Sequence, residues 1–246
     1  MTEALRIEEA SDRVVVTLDR PGRRNAIDQR MVDELHEVCA ALEREPRILI
    51  LTGAGGVFAS GADIAELRER TAEDAELGIN DTVFSRVASL PMPVIAALDG
   101  YALGGGAELA YAADLRIGTP RLRIGNPETG LGIIAAAGAL WRLPQLVGLP
   151  LATELVLTGR ILTGEEALAA GLVGSLHEPD DLLPAAHALA DRIAANDPLA
   201  TRLTKRVLRA PLADHPTVER EAQAQAFESP EKRRRMTEFL ERRRTR

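Results

Sequence analysis

Apolar and polar positions follow two rhythms along this chain. Arg13-Val-Val-Val-Thr-Leu18 is a short β-branched run closed by Pro21-Gly22, which predicts a strand ended by a turn. From Asp28 onward Met31, Leu35, Val38 and Leu42 recur at helical spacing until Pro46, and Arg47-Ile-Leu-Ile-Leu-Thr52 follows as an apolar strand. Pro93-Val-Ile-Ala-Ala-Leu98 reads as another buried strand, Glu108 to Ala113 as a helix and Leu115-Arg-Ile117 again as a strand. Strands and helices in alternation place the chain in the α/β class. Further on, Thr163 with Glu166 forms a capping box and Gly171 is placed to stop that helix. Asp197-Pro198 and Ser229-Pro230 each set a capping side chain before a proline, so the last fifty residues are predicted to be mainly helical. A shift in composition near residue 185 divides the chain into 1–185 and 186–246.

At 246 residues, 46% hydrophobic and 27% charged, the chain has the composition of a globular protein with one substantial core. The longest uncharged apolar run, Leu131 to Trp141, is well short of the ~18 residues of a spanning helix, so no membrane segment is expected. The first six residues are charged and lack an apolar signal region, which makes the cytoplasm the expected compartment. Cys39 has no partner for a disulfide, and His36, His177, His187 and His215 are scattered, so no metal site is expected. A net charge of −7 argues against nucleic acid as a partner. The charge is uneven: residues 231–246 carry eight basic and three acidic side chains, +5, which leaves −12 on the remainder.

Two glycine-rich loops stand out. In Gly53-Ala-Gly-Gly-Val-Phe-Ala-Ser-Gly-Ala-Asp63 a strand runs into a loop that ends at a helix starting near Ile64 or Ala65. In Asp99-Gly-Tyr-Ala-Leu-Gly-Gly-Gly-Ala-Glu-Leu109 three consecutive glycines open a helix, whose first amides are unsatisfied within it and favour an oxygen bearing negative charge. Taken singly, either loop is equally well explained by close packing. Neither carries the Gly-Lys-Ser/Thr of a P-loop, and Gly104-Gly-Gly106 lacks the dinucleotide spacing, which disfavours NTP and NAD. Glu108 falls in the first turn after these glycines among apolar neighbours, and Glu128 sits in Ile124-Gly-Asn-Pro-Glu-Thr-Gly-Leu-Gly132. Each is a candidate acid–base group; helix capping and solvation are the alternatives.

Together these segments resemble the crotonase, or enoyl-CoA hydratase/isomerase, superfamily. The resemblance runs through Arg20-Pro21, Asn25-Ala26-Ile27, Gly61-Ala62-Asp63, Gly100-Tyr-Ala-Leu-Gly-Gly-Gly-Ala-Glu-Leu109, Pro127-Glu128, Gly130-Leu-Gly132, Leu157-Thr-Gly159 and Ala169-Ala-Gly-Leu-Val173. It implies a crotonase-like spiral of ββα units over 1–185, a helical region at 186–246 that builds a homotrimer or hexamer, and an acyl-CoA thioester substrate. Coenzyme A is then part of the substrate, and no separate cofactor is implied. It places oxyanion-hole amides on Ala62 and Gly105, water activation on Glu108 and protonation of C2 on Glu128. CoA contacts fall on Arg24, Asn25, Ala26, Ala62 and Ile64, with Phe239 and Arg242 supplying a C-terminal contact to the CoA phosphates. The implied activity is hydration of a 2-enoyl-CoA; a Δ3-Δ2 enoyl-CoA isomerase and a non-catalytic acyl-CoA-binding relative are the alternatives. One segment departs from the pattern. After Gly132 hydratases of the family read close to Pro-Gly-Ala-Gly-Gly-Thr, whereas this chain has Ala135-Ala-Ala-Gly-Ala-Leu140 and then Trp141. Added methyl groups in that position bear on acyl-chain fit and on the placement of water.

Overall fold

The computed structural model describes residues 3–244, which form two compact units divided between Ala190 and Asp191. The first unit opens with β1 (Leu5–Glu9), β2 (Arg13–Leu18), α1 (Gln29–Arg44) and β3 (Ile48–Gly53). Three helices follow, α2 (Ile64–Glu69), α3 (Ala72–Glu76) and α4 (Ile79–Ser89), and then β4 (Val94–Leu98), β5 (Tyr101–Leu103) and α5 (Gly105–Ala112). Next come β6 (Leu115–Gly118), β7 (Arg123–Gly125), α6 (Ala139–Val147), α7 (Leu149–Thr158), β8 (Ile161–Thr163) and α8 (Gly164–Ala169). Helix α9 (Pro179–Ala194) runs across the division.

One sheet has the order β1-β2-β3-β4-β6, parallel except for the antiparallel edge strand β1. Strand β4 is buried throughout and β3 over its first four residues, as parallel strands covered on both faces require. A second, smaller sheet has the order β5-β7-β8. The two sheets are linked by a repeat: β3 leads to Ala59, which bridges to Ala102 of β5, and then to α2. Likewise β4 leads to β5 and α5, and β6 to β7 and, after a turn, to α6. This is the ββα repeat that the resemblance implies.

Helix α1 is positioned by the Asp28 carboxylate, which accepts from the Met31 amide at 2.9 Å, a cap of the kind typically worth ~1 kcal/mol. Its buried face, Met31, Leu35, Val38 and Leu42, is the predicted one. Helix α5 is unlike the others because all eight of its residues are buried. A helix surrounded on every side has no solvent face for polar residues, so a carboxylate on it must be paired or functional.

The second unit holds α10 (Pro198–Leu208), packed with α11 (Thr217–Phe227), and α12 (Pro230–Arg244). Asp197 caps α10 through the Ala200 amide at 2.7 Å, and the last fifty residues are largely helical as predicted. The basic tail is a helix laced by its own ion pairs: Arg235 meets Glu231 at 2.6 Å and Arg242 meets Glu238 at 3.5 Å. Phe239 and Arg242 are both exposed on it.

Candidate active site

The three glycines ahead of α5 do separate jobs. Gly104 has φ +50°, where side chains are strained, and a Cβ there would stand 3.1 Å from Glu128 Oε1. Gly106 packs against the Ala59 backbone so closely that a Cβ would lie 2.4 Å from its carbonyl oxygen. Gly105 faces Ala62: a Cβ placed on it would be 3.5 Å from the Ala62 nitrogen. Gly105 thus lies close to the Ala62 nitrogen, and neither the Ala62 nor the Gly105 amide donates to another group among the described residues.

Ala62 is held by its neighbours. Ile27 pairs with it as an isolated parallel bridge, the Ile27 amide donating to Gly61 at 2.8 Å and the Asp63 amide to Ile27 at 2.9 Å. Asp28 and Asp63 cap α1 and α2, and the Arg20 guanidinium bridges them at 3.0 and 3.4 Å. Asn25 is fully buried; it accepts from the Arg20 amide and donates to the carbonyls of Ala54 and Val57. Expected at the CoA border, Asn25 has no exposed surface here, and its three internal bonds shape this loop. Arg24, Ala26 and Ile64 remain accessible, and the Arg24 carbonyl accepts from the Ser60 amide, which ties the early loop to the glycine loop.

Glu108 is 3% exposed on α5. Its Oε1 accepts from the amides of Ala137 at 2.8 Å and Ala139 at 3.1 Å, at the N-terminus of α6. Burial pushes this carboxyl up to about 7, helped by the nearby charge of Glu128, while the two amides and Arg142 pull it down. Glu128, 9% exposed, begins the 3-10 turn Glu128–Leu131. Its Oε1 accepts from Asn126 Nδ2 at 3.2 Å, and Asn126 Oδ1 accepts from the Tyr111 hydroxyl at 3.0 Å. Its Oε2 is buried and has no partner among the described residues. Burial raises this carboxyl as well.

Both glutamates, Ala62 and Gly105 line one cavity of about 570 Å³, within the range of small-molecule sites. Leu67, Leu103, Leu131, Ile133 and Ile134 make much of its wall apolar. Ala136 and Ala137 of the unusual Ala135–Leu140 segment line it, so their methyl groups shape its wall. Ala135, Ala137 and Ala139 bury their methyl groups in the core, and two of these residues supply the amides that hold Glu108. Asn126, Tyr111 and Arg142 were not singled out from sequence. A signal existed for Arg142, the one charged residue between Leu131 and Val147.

Comparison with known proteins points the same way. A protein-family model described as Enoyl-CoA hydratase/isomerase matches residues 8–246. The chain is 39% identical to the Short-chain-enoyl-CoA hydratase of Clostridium acetobutylicum, over 96% of this chain and 94% of that one. It is 35% identical to the Crotonyl-CoA hydratase of Syntrophomonas wolfei, over 98% and 96%. Its fold matches the crystal structure of enoyl-CoA hydratase from Bacillus anthracis with a TM-score of 0.92 and 33% identity, covering 97% of this chain and 96% of that one.

Proposed function

The chain belongs to the enoyl-CoA hydratase/isomerase family, and from that premise we propose that it is an enoyl-CoA hydratase, adding water across the C2=C3 bond of a 2-enoyl-CoA to give the 3-hydroxyacyl-CoA. The observation that carries this reading is the unequal bonding of two carboxyls in one cavity. Glu108 accepts two backbone hydrogen bonds at a helix N-terminus, an arrangement that favours its anionic form. Glu128 keeps a buried oxygen free of partners, which suits a carboxyl that carries a proton.

In the reaction, the thioester oxygen sits between the Ala62 and Gly105 amides, which stabilise the enolate as charge moves onto it. Glu108 takes a proton from water as its oxygen bonds to C3, and Glu128 delivers its own proton to C2. Net, one water is consumed and the two glutamates exchange roles, to be reset through solvent. The step is redox-neutral, and water supplies both the hydroxyl and the proton, so the chemistry asks for no cofactor beyond the CoA borne by the substrate. Arg24, Ala26 and Ile64, accessible around Ala62, are proposed to border the CoA moiety; Phe239 and Arg242 are proposed as its C-terminal contacts. We also propose a homo-oligomer built by the helical region 186–246, supported by the exposed Leu208, Leu212, Phe227 and Leu240 of the second unit, to be weighed by light scattering.

The test is incubation with crotonyl-CoA while the conjugated enoyl-thioester absorbance is followed. Decay with the wild type and none with Glu108→Gln or Glu128→Gln is the expected result. A stable band, with 3-enoyl-CoA becoming conjugated instead, would make the protein an isomerase and overturn the hydratase reading.

A further inference from the structure

Arg142 is a buried cation, 5% exposed, in the first turn of α6. Its Nη1 donates to the Ala137 carbonyl at 3.2 Å and its Nη2 to Ser85 Oγ of α4 at 3.1 Å. The Ser85 hydroxyl donates in turn to Asp81 at 3.2 Å, and the Trp141 ring centre lies 4.0 Å from the guanidinium carbon. The guanidinium fills a space that only glycine leaves open: a Cβ on Gly138, at φ +121°, would lie 1.8 Å from Nη1. Burying a cation is costly, and an apolar side chain of similar length would fill the same space. What an apolar residue would not do is fix the Ala137 peptide. The Ala137 amide belongs to the peptide before it and the Ala139 amide to the peptide after it, and these two amides converge on Glu108.

Resting on the hydratase reading, we propose that Arg142 is a positioning residue for Glu108. By clamping the Ala137 carbonyl it keeps the Ala137 and Ala139 amides aimed at Glu108 Oε1, the bonds that hold this carboxylate in place for water activation. The other titratable groups around Glu108 are Glu128 from the 3-10 turn and Tyr111 on its own helix, with Arg70, Asp74 of α3 and Asp81 of α4 lining the same cavity. Of the charges that act on Glu108, Arg142 is the positive one, and it opposes Glu128.

The experiment has an arm that needs no substrate. The Glu108 carboxyl band is titrated by infrared difference spectroscopy of the full chain against its Glu108→Gln variant, with and without Arg142→Met. The midpoint is expected to rise by about one pH unit or more in Arg142→Met, with Arg142→Lys in between. With crotonyl-CoA, kcat is expected to fall about tenfold or more while KM stays within about threefold. The acid limb of the pH profile should move with the infrared midpoint. An unmoved midpoint, or a midpoint that moves while the acid limb of the rate stays in place, overturns the proposal. If Arg142→Met does not fold, Gly138→Ala, which displaces the guanidinium without removing it, must shift the midpoint in the same direction or the proposal fails. A wild type that titrates as described but does not hydrate crotonyl-CoA would overturn the functional reading and leave the clamp established.

Discussion

Gly106→Ala tests whether the backbone donors, and not only the carboxyls, make this site. The added Cβ would stand 2.4 Å from the Ala59 carbonyl oxygen and 2.8 Å from the Ala59 Cβ, where ordinary contact begins at 3.4 Å. Something must move by about 1 Å, and both obstacles belong to one residue whose position is fixed. Ala59 donates to Tyr101 and accepts from Leu103, each at 3.0 Å, so it yields only by disturbing the bridge that presents the Ala62 loop to α5. Overpacking of this kind typically costs ~1–3 kcal/mol, which in a chain of this size lowers the melting temperature by roughly 2–12 °C. Separating the Ala62 and Gly105 amides by that distance amounts to losing one oxyanion donor, ~3–4 kcal/mol, or a fall of about 10²–10³ in kcat. The assay is crotonyl-CoA hydration beside calorimetry. Gly130→Ala is the control, since a Cβ there meets nothing within 4 Å and the backbone is not left-handed. A Gly106→Ala enzyme with kcat within about twofold of wild type would refute the reasoning from these contacts.

Other perturbations separate site from scaffold. Gly105→Ala meets only ordinary 3.5 Å contacts but puts a methyl beside both donor amides, so activity should fall about tenfold or more with an unchanged melting temperature. The pH profile of kcat/KM should lose its acid side around pH 7, since Glu108 titrates at about 7 and must be ionised to accept a proton. Stability should run the opposite way. The folded carboxyl binds its proton more tightly than the unfolded one, so this group's contribution grows as pH falls from about 7 toward the ordinary glutamate range, and denaturant melts of Glu108→Gln should lack it. Asn126→Ala removes the donor to Glu128 Oε1 and should lower kcat about tenfold with little change in KM, read by steady-state kinetics. Leu51→Ala, in the fully buried part of β3, should cost about 2–5 kcal/mol in urea unfolding without changing the rate per folded molecule.

Much of this was legible in the chain because the signals are local. The glycine triplet before Glu108, the caps at Thr163 and Asp197, and the strands at 13–18 and 93–98 depend on neighbours a few residues away. The second sheet was not seen, because strands of three residues such as Tyr101–Leu103 and Arg123–Gly125 are too short to show alternation. The Tyr111–Asn126–Glu128 relay joins positions fifteen residues apart through side chains, which no periodicity reports. The Ala135–Leu140 segment was legible only in part: Ala136 and Ala137 line the cavity with their methyl groups, but the segment also holds Glu108 through main-chain N–H groups that no side-chain pattern reports.

Helix α5 is two turns long, and its ends live under different rules. Toward Ala112 its amides are bonded within a helix that has no surface, so their hydrogens exchange with solvent only when the core opens. At its start Gly105 lines the cavity and its N–H has no acceptor among the described residues, so it should exchange in the folded protein. Protection should therefore rise steeply over a few residues. An acyl thioester seated against that end would slow the fast amides and leave the slow ones unchanged, so the least protected hydrogens of the most buried helix would report occupancy of the site directly.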